Sequence, residues 1–300
     1  MAEPYLGNPA KCSAVLKKYG FSFRKKYGQN FLINTGVLTS IVHTAGITKE
    51  DFVLEIGPGI GTLTQYLATY AGHVVAVEID RTLLPILKDT LSEWDNVEIL
   101  SADILKTDIR QIADEKNGGR PIKVCANLPY YITTPILMAL LESDAPILSL
   151  TVMVQKEVAE RMVTGPGSKD YGALSLAVQY YTRPEISFIV PPSSFMPRPH
   201  VDSAVVHMEL YEKPPVDVED EAMLFAVIRA SFNERRKTLL NGLSHFQAFD
   251  FTKEELGGAL RHCGFEPTVR GEKLTLSEFA LLANELTKLR KNVPSTGRWD

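Results

Sequence analysis

The sequence lacks any apolar stretch long enough to cross a bilayer. Its first residues lack the apolar run of a signal peptide and the Arg-rich character of a transit peptide. Its three cysteines, Cys12, Cys125 and Cys263, are far apart and do not cluster with the histidines, so the spacing predicts neither a disulfide framework nor a zinc site. We therefore expect a cytoplasmic protein without metal and without membrane association.

Acidic residues are absent from a long N-terminal stretch. Between Pro4 and Lys49 there is no Asp or Glu, and a second basic cluster, Arg235-Arg236-Lys237, lies near the C-terminus. The net charge of −4 argues mildly against a nucleic-acid partner, but local basic surface matters more for binding phosphates. Each cluster alone is compatible with a solvated face. Two clusters, the first interleaved with aromatic residues, favour an RNA partner. The basic residues of the first stretch are Lys11, Lys17, Lys18, Arg24, Lys25, Lys26 and Lys49.

Short apolar runs alternate with amphipathic segments between residues 52 and 210, which predicts an α/β fold with a parallel sheet covered by helices on both faces. After Glu212-Lys213-Pro214-Pro215 only helical patterns follow. We therefore predict an N-terminal basic arm (1–25), a catalytic domain (26–212) and a smaller all-helical domain (213–300). The predicted strands are 52–56, 73–79, 97–100, 122–126, 147–154, 186–190 and 204–210. The predicted helices are 62–70, 81–91, 133–141, one ending near 163, 173–181, 219–232, 235–243, 253–262 and 277–288.

A glycine-rich loop, Glu55-Ile56-Gly57-Pro58-Gly59-Ile60-Gly61, follows the first predicted strand. Its glycines permit a sharp turn and close approach of a ligand, and the helix that follows favours polar or anionic groups at its N-terminus. The second predicted strand ends in Val77-Glu78-Ile79-Asp80, where an acid is placed to bind the two hydroxyls of a ribose. A dinucleotide-binding fingerprint would need glycine at Thr62, so the loop favours S-adenosylmethionine. Asp103, after the third strand, is either an acceptor for the cofactor's adenine amine or a helix cap.

The tetrapeptide Asn127-Leu128-Pro129-Tyr130 follows the fourth predicted strand. The N6 amine of adenine is a poor nucleophile because its lone pair is delocalised into the ring. Two acceptors on its hydrogens, the Asn127 side-chain oxygen and the carbonyl held extended before Pro129, would localise that lone pair. Tyr130 can stack on the base. An isolated Asn-capped turn is the alternative, but the position beside the glycine loop favours N-methylation of adenine.

These motifs together resemble the KsgA/Dim family of small-subunit ribosomal RNA adenine dimethyltransferases, of which the bacterial KsgA/RsmA type is the nearest match. The resemblance extends from about Lys25 to the C-terminus. The segments that carry it are Tyr27–Leu32, Glu55–Gly61, Glu78–Asp80, Ala102–Leu105, Asn127–Ile132, Gln155–Arg161 and the F-x-P-x-P-x-V-x-S loop Phe195–Ser203.

The resemblance implies a Rossmann-like methyltransferase sheet and transfer of four methyl groups from S-adenosylmethionine to two adjacent adenosines in the 3′-terminal hairpin loop of 16S rRNA, within the small ribosomal subunit. It also implies that Asn127, Leu128, Pro129 and Tyr130 hold the target, and that Phe195 stacks on the other face of a flipped adenine. A core aromatic is the alternative for Phe195. We expect a monomer. The implied cofactor contacts are Asn30, Leu32, Gly57, Gly59, Glu78, Asp103 and Asn127.

Two other functions share these features. One is methylation of large-subunit rRNA, as in the sister group that confers macrolide resistance, and the other is a non-catalytic assembly or transcription factor of the same fold. Leu128 and the Phe195–Ser203 loop favour the small-subunit group. The intact tetrapeptide and glycine loop argue against a loss of catalysis.

Overall fold

The computed structural model describes residues 2–24, 28–266 and 268–292. The chain forms two compact units, the first made of residues 1–160 and 183–210 and the second of residues 161–182 and 211–300. Residues 161–182, assigned above to the catalytic domain, thus cluster with the helical unit. The physical reason is that Tyr171, Leu176 and Tyr180 are buried in the same apolar core as the C-terminal helices.

The first unit contains a seven-stranded sheet with the order β4-β3-β2-β5-β6-β9-β7 and a separate two-stranded ribbon of β1 and β8. The first five strands of the sheet are mutually parallel, and β9 is antiparallel to β6. The predicted α/β architecture is therefore confirmed. The strands are β1 (Phe31–Leu32), β2 (Phe52–Ile56), β3 (His73–Glu78), β4 (Val97–Ser101), β5 (Ile122–Asn127), β6 (Ile147–Gln155), β7 (Thr182–Val190), β8 (Phe195–Met196) and β9 (Ser203–Leu210).

Helices connect the parallel strands and build the second unit. Among the described residues, none of them is long and apolar enough to cross a membrane. The helices are α1 (Pro9–Lys18), α2 (Thr35–Thr44), α3 (Thr62–Tyr70), α4 (Leu84–Thr90), α5 (Ile109–Asn117), α6 (Thr133–Leu141), α7 (Lys156–Val163), α8 (Ala173–Tyr181), α9 (Glu221–Asn233), α10 (Leu239–Ser244), α11 (Lys253–His262) and α12 (Leu276–Asn292).

The order of the strands places a crevice at one end of the sheet. The chain runs from β2 outward through β3 and β4, then returns to β5 on the opposite side of β2. Open α/β sheets bind ligands outside the carboxyl ends of their strands at such a reversal. Every residue of β2 is buried, as expected for a central parallel strand covered on both faces. The glycine loop after β2 and the tetrapeptide after β5 therefore meet at this point.

The N-terminal arm is part of the first unit and not a separate element. Leu6 and Cys12 are fully buried in its core. The backbone N–H groups of Tyr5 and Leu6 donate to Oε1 of the buried Gln65, at 3.0 and 3.1 Å. Gln65 in turn donates to the carbonyl of Thr90 at 2.8 Å, which ties the arm to two helices.

The sequence analysis did not predict α1, α2, α5, β1 or β8.

Two predicted helices start three or more residues later than expected. The segment Arg81–Leu83 forms a 3₁₀ turn capped by Asp80, and α4 begins only at Leu84, because Pro85 fits the first turn of a helix. The predicted helix 235–243 is wrong at its start, since α10 begins at Leu239. Thr238 is its N-cap and accepts a hydrogen bond from the Asn241 N–H. The basic cluster Arg235–Lys237 therefore lies in a turn.

Gly72, between α3 and β3, allows a close approach that any side chain would block. A Cβ at this position would lie 2.3 Å from the backbone oxygen of Lys49. We expect Gly72→Ala to lower the free energy of unfolding by about 1–3 kcal/mol, the range for overpacked sites. The matched control is Gly258→Ala inside α11, where a Cβ meets nothing within 4 Å, and which should stabilise by about 0.5–1 kcal/mol. Urea unfolding measures both, and equal effects would contradict the steric argument.

Candidate active site

A cavity lies at the carboxyl ends of β2, β3 and β5. It is lined by the glycine loop, by Glu78 at the end of β3, by the tetrapeptide and by the segment that precedes and includes β1. Its lining contains every site residue predicted from the sequence except Phe195. The predicted residues that line it are Asn30, Leu32, Gly57, Gly59, Glu78, Asp103, Asn127, Leu128, Pro129 and Tyr130.

The glycine loop has the left-handed backbone that glycine favours. The φ angles of Gly57, Gly59 and Gly61 are 68°, 61° and 90°. A Cβ on Gly59 would lie 2.8 Å from Cε1 of Phe31, whereas a Cβ on Gly57 would meet nothing within 4 Å. The loop is therefore closed against β1 at Gly59 and open at Gly57, which leaves room for a ligand beside the N-terminus of α3.

Glu78 presents a buried carboxylate at the end of β3. Its Oε2 accepts from the Gly59 N–H at 3.2 Å, and its Oε1 accepts from the Asp80 N–H at 2.7 Å. Burial raises its pKa to about 7, although these backbone hydrogen bonds oppose the shift. The two N–H groups fix the carboxylate with both oxygens at the wall of the cavity, where it can accept hydrogen bonds from ligand hydroxyls.

Glu55 is a second buried acid, and the sequence analysis noted it only as part of a pattern. It is 1% exposed, and burial raises its pKa to about 8, with a further contribution from Glu78. Among the described residues its Oε2 has no hydrogen-bond partner, and neither do the hydroxyls of Thr62 and Thr64. The Thr64 hydroxyl lies close enough to Glu55 to offset part of the rise in the pKa of Glu55. The Thr64 hydroxyl and Oε2 of Glu55 nevertheless do not meet the geometry of a hydrogen bond. Since buried polar atoms are nearly always satisfied, these atoms indicate a place for a polar ligand group or water.

The tetrapeptide forms a rigid turn between β5 and α6. The Leu128 N–H donates to the Met153 carbonyl at 3.0 Å, which anchors the turn to β6. The carbonyl of Pro129 accepts from the Ile132 N–H at 3.2 Å and from the Thr133 hydroxyl at 3.0 Å. Because the Pro129 carbonyl is thus engaged in capping α6, the carbonyl of Leu128 is the backbone acceptor that the predicted chemistry needs.

The side chain of Asn127 is oriented by a distant backbone group. Its Nδ2 donates to the carbonyl of Asn30 at 3.0 Å. Asn30 is itself held by a 3.2 Å hydrogen bond from its Nδ2 to the Gly28 carbonyl. With the amide nitrogen engaged in this way, Oδ1 of Asn127 is the end of the side chain that remains to accept a hydrogen bond in the cavity.

The ring of Tyr130 is held in place by a hydrogen bond of its hydroxyl group. Its hydroxyl lies 2.6 Å from Oγ of the fully buried Ser203, on β9. Burial raises the pKa of Tyr130, so its phenol is neutral at physiological pH. The hydrogen bond restricts rotation of the ring of Tyr130, which is one of the residues that line the cavity. The sequence analysis named Ser203 only as the last residue of the Phe195–Ser203 loop and did not predict this contact.

Phe195 and Asp103 occupy places that match their structural alternatives. Phe195 is 2% exposed, belongs to the apolar core of the first unit, and pairs with Leu32 across the β1–β8 ribbon. Its ring does not line the cavity, so its stacking on a base stays a prediction. Asp103 does line the cavity, and its Oδ1 accepts from the Leu105 N–H at 3.1 Å as the cap of a 3₁₀ turn.

Asp80 holds the segment Gly28–Leu32, which lines one side of the cavity. The sequence analysis did not predict this role of Asp80. This carboxylate is 2% exposed and accepts from Nε2 of Gln29 at 3.0 Å and from the Thr82 hydroxyl at 2.6 Å. Arg24 lies 3.7 Å from it, and the Arg24 N–H donates to Oε1 of Gln29 at 2.9 Å. Lys25 and Lys26 of the N-terminal basic stretch, and Tyr27 of the segment Tyr27–Leu32 that carries part of the resemblance, lie outside the described residues.

Comparison with known proteins identifies the family. The model of the ribosomal RNA adenine dimethylase family matches residues 20–288. The chain belongs to this family. A relative from Lachnoclostridium phytofermentans, named ribosomal RNA small subunit methyltransferase A, is 60% identical over 96% of this chain and 99% of its own. The resemblance inferred from the motifs is thus confirmed, together with the prediction of an enzyme.

Two solved structures share the fold. A dimethyladenosine transferase from Plasmodium falciparum superposes with a TM-score of 0.69 and 27% identity, covering 87% of this chain and 98% of that one. The 23S rRNA methyltransferase ErmE superposes with a TM-score of 0.65 and 25% identity, covering 86% of this chain and 100% of that one. The chain therefore shares the Rossmann-like methyltransferase fold with a protein named for 23S rRNA and with one named only as a dimethyladenosine transferase.

The raised pKa values of Glu55 and Glu78 predict how stability depends on pH. A folded-state pKa above the unfolded value stabilises the protein at low pH, and this contribution is lost as pH rises through about 7 to 8. We expect the melting temperature of the ligand-free protein to fall between pH 6 and pH 8.5. The fall should be shallower for Glu55→Gln, whereas the exposed control Glu50→Gln should follow the wild type. Parallel curves of melting temperature against pH for all three proteins would contradict the raised pKa of Glu55.

Proposed function

We propose that this protein transfers methyl groups from S-adenosylmethionine to the N6 amines of two adjacent adenosines in the 3′-terminal hairpin loop of 16S rRNA, in the small ribosomal subunit. The observation that carries the proposal is the orientation of Asn127 beside the glycine loop. Its amide nitrogen is engaged by the Asn30 carbonyl, so its oxygen is the acceptor available to a target amine. We expect the enzyme to act as a monomer in the cytoplasm.

The cavity fits the proposed cofactor. Glu78 would accept hydrogen bonds from the ribose hydroxyls, and the second oxygen of Asp103 would accept one from the adenine amine. The unpartnered Oε2 of Glu55 matches a positively charged amine of the ligand, directly or through water. Asn30, Leu32, Gly57 and Gly59 would enclose the ligand. When bound, S-adenosylmethionine supplies a methyl group on a positively charged sulfur, which is a strong electrophile.

The tetrapeptide would prepare the target amine. Oδ1 of Asn127 and the carbonyl of Leu128 would each accept a hydrogen bond from one N6 hydrogen. These two hydrogen bonds would shift electron density onto the nitrogen and orient its lone pair. Tyr130, fixed through Ser203, would stack on the adenine, an interaction of about 1–3 kcal/mol. No general base is needed before transfer, since the proton leaves afterwards. Catalysis then rests on positioning and on electrostatic stabilisation by fixed acceptors.

The small subunit is favoured over the large subunit as the substrate by sequence identity. The chain is 60% identical to a protein named for the small subunit and 25% identical to one named for 23S rRNA. A non-catalytic role is disfavoured because the tetrapeptide, its two acceptors and the buried acids are all in place. One assay distinguishes the proposed function from both alternatives.

The assay measures transfer of labelled methyl groups to undermethylated small subunits and to naked large-subunit rRNA. Mass spectrometry of the rRNA should find N6,N6-dimethyladenosine at two adjacent positions in the small subunit only. Product only on large-subunit rRNA would support the macrolide-resistance type, and no product on either would support a non-catalytic factor.

Asn127→Ala should abolish turnover, because it removes one of the two acceptors and the contact with Asn30. Binding to small subunits should remain largely intact, which a filter-binding titration measures. The matched control is Asn284→Ala in the helical unit, which removes a comparable side-chain bond to a backbone carbonyl, that of Asp217 at 2.9 Å, and should retain turnover. Substantial turnover by Asn127→Ala would show that the amide does not polarise the amine.

The basic turn of the second unit supports contact with RNA phosphates. Arg235 lies 3.5 Å from Glu272 and over the ring of Phe232, so its charge is partly engaged. Arg236 and Lys237 are exposed and form no ion pair with any other described residue. They are therefore the cations of this turn that are most available to an RNA backbone.

Arg236→Ala should make the binding of small subunits less dependent on salt. If Arg236 contacts one phosphate, the log–log slope of affinity against salt should become shallower by about 0.7 to 0.9. Arg183→Ala is the control, because Arg183 is paired with Glu209 at 2.6 Å on the edge strand β7. An unchanged slope for Arg236→Ala would mean that this side chain is only solvated.

A further inference from the structure

The cavity lacks basic residues among the described residues that line it. These include the acids Glu55, Glu78 and Asp103 but no Lys, Arg or His. Arg24 is nearby, but it lies 3.7 Å from the buried carboxylate of Asp80, so its charge is partly engaged. Every phosphate of an RNA strand carries a negative charge, and a strand at the mouth of the cavity finds no opposite charge on these lining residues. A cation that binds such a phosphate must therefore come from a neighbouring element.

The loop between β8 and β9 is fixed beside the cavity at both ends. At its start, β8 pairs with β1, and both residues of β1 line the cavity. At its end, Oγ of Ser203 lies 2.6 Å from the hydroxyl of Tyr130, which also lines the cavity. The carbonyl of Asp202 accepts from the Lys156 N–H at 3.0 Å, which adds a third anchor. The loop is therefore held next to the residues proposed to bind the target base.

Arg198 is an exposed cation of this loop. It stands between Pro197 and Pro199, whose rings restrict the backbone on both sides of it. Its Cα lies within about 7 Å of that of Met196 in β8, since a fully extended chain spans at most about 3.6 Å per residue. Among the described residues Arg198 has neither an ion-pair partner nor a side-chain hydrogen bond. A permanently charged guanidinium with available donors is thus held on a stiff loop beside the cavity.

We propose that Arg198 binds an RNA phosphate next to the adenosine whose base occupies the cavity, a proposal that rests on the function proposed above. When a base leaves its stack and enters a cavity, its ribose and phosphates stay at the mouth. A guanidinium binds phosphate oxygens through two parallel N–H···O hydrogen bonds. Because a phosphate contact carries no sequence information, Arg198 would fix the register of the strand, while Asn127 and Tyr130 bind the base.

Arg198→Ala should lower kcat/KM on undermethylated small subunits about tenfold, the effect expected for the loss of one charge-assisted contact. Arg198→Lys keeps the charge but not the planar fork, and should recover part of this loss. The affinity for S-adenosylmethionine and the melting temperature should be the same for Arg198→Ala and the wild type, because the side chain has no partner among the described residues.

Arg120→Ala is the matched control and should retain the wild-type kcat/KM. Arg120 is exposed and lies two residues before β5, at the opposite end of the sheet from the cavity. Among the described residues its guanidinium donates to the carbonyl and side-chain oxygens of Asn117 and forms no ion pair, so its charge is also unpaired.

The decisive substrates are small subunits reconstituted with 16S rRNA in which one phosphate flanking the two adenosines is replaced by an uncharged methylphosphonate. Each flanking phosphate is replaced in turn, and dimethyladenosine is measured by mass spectrometry. The proposal is supported if one replacement lowers the wild-type kcat/KM about tenfold and causes no further loss in Arg198→Ala. It is overturned if every replacement affects the two proteins equally, or if Arg198→Ala matches the wild type on the intact substrate. Absence of wild-type methylation on intact subunits would instead refute the proposed function and this inference with it.

Discussion

The hydrogen bond from the Asn127 side chain to the Asn30 carbonyl is the interaction on which the geometry of the active site depends. An amide side chain can present either its donor or its acceptor, and only the acceptor can polarise a target amine. By engaging the donor, the segment around Asn30 decides which end of Asn127 faces the cavity. The same segment is fastened by Gln29 to Asp80, next to the acid at the end of β3. One wall of the cavity and the orientation of the Asn127 amide therefore depend on the same piece of chain.

The two buried acids that line the cavity lower the stability of the protein when they are charged. Burial disfavours the charged form of a carboxyl group, and burial is the main cause of the raised pKa values of Glu55 and Glu78. Each would gain partners from a ligand with hydroxyl or positively charged groups. Since such a ligand binds the folded protein only, it would stabilise the fold through the same groups that destabilise it when the ligand is absent.

The sequence predicts features whose cause is local and misses those whose cause is distant. The glycine loop, the positions of β2 and β5 and the placement of the tetrapeptide follow from short-range patterns. The contacts that orient the site join Asn30 to Asn127, Tyr130 to Ser203 and Gln29 to Asp80, residues separated by 97, 73 and 51 positions. No spacing rule pairs them. The start of α10 was mispredicted because the capping hydroxyl of Thr238 outweighs the helical pattern of the preceding basic residues.

Phe195 links its own loop to the segment that contains β1. Its ring lies in the core, and its backbone pairs with that of Leu32, which lines the cavity. The neighbouring Ser194 carbonyl accepts from the Ile33 N–H at 2.8 Å, and the Ser194 hydroxyl accepts from Asn34 at 3.1 Å. If Phe195 stacks on a flipped adenine, the β1–β8 ribbon must shift with it. A ligand that contacts Leu32 would then also act on the loop that contains Phe195, because both residues belong to the same two-stranded ribbon.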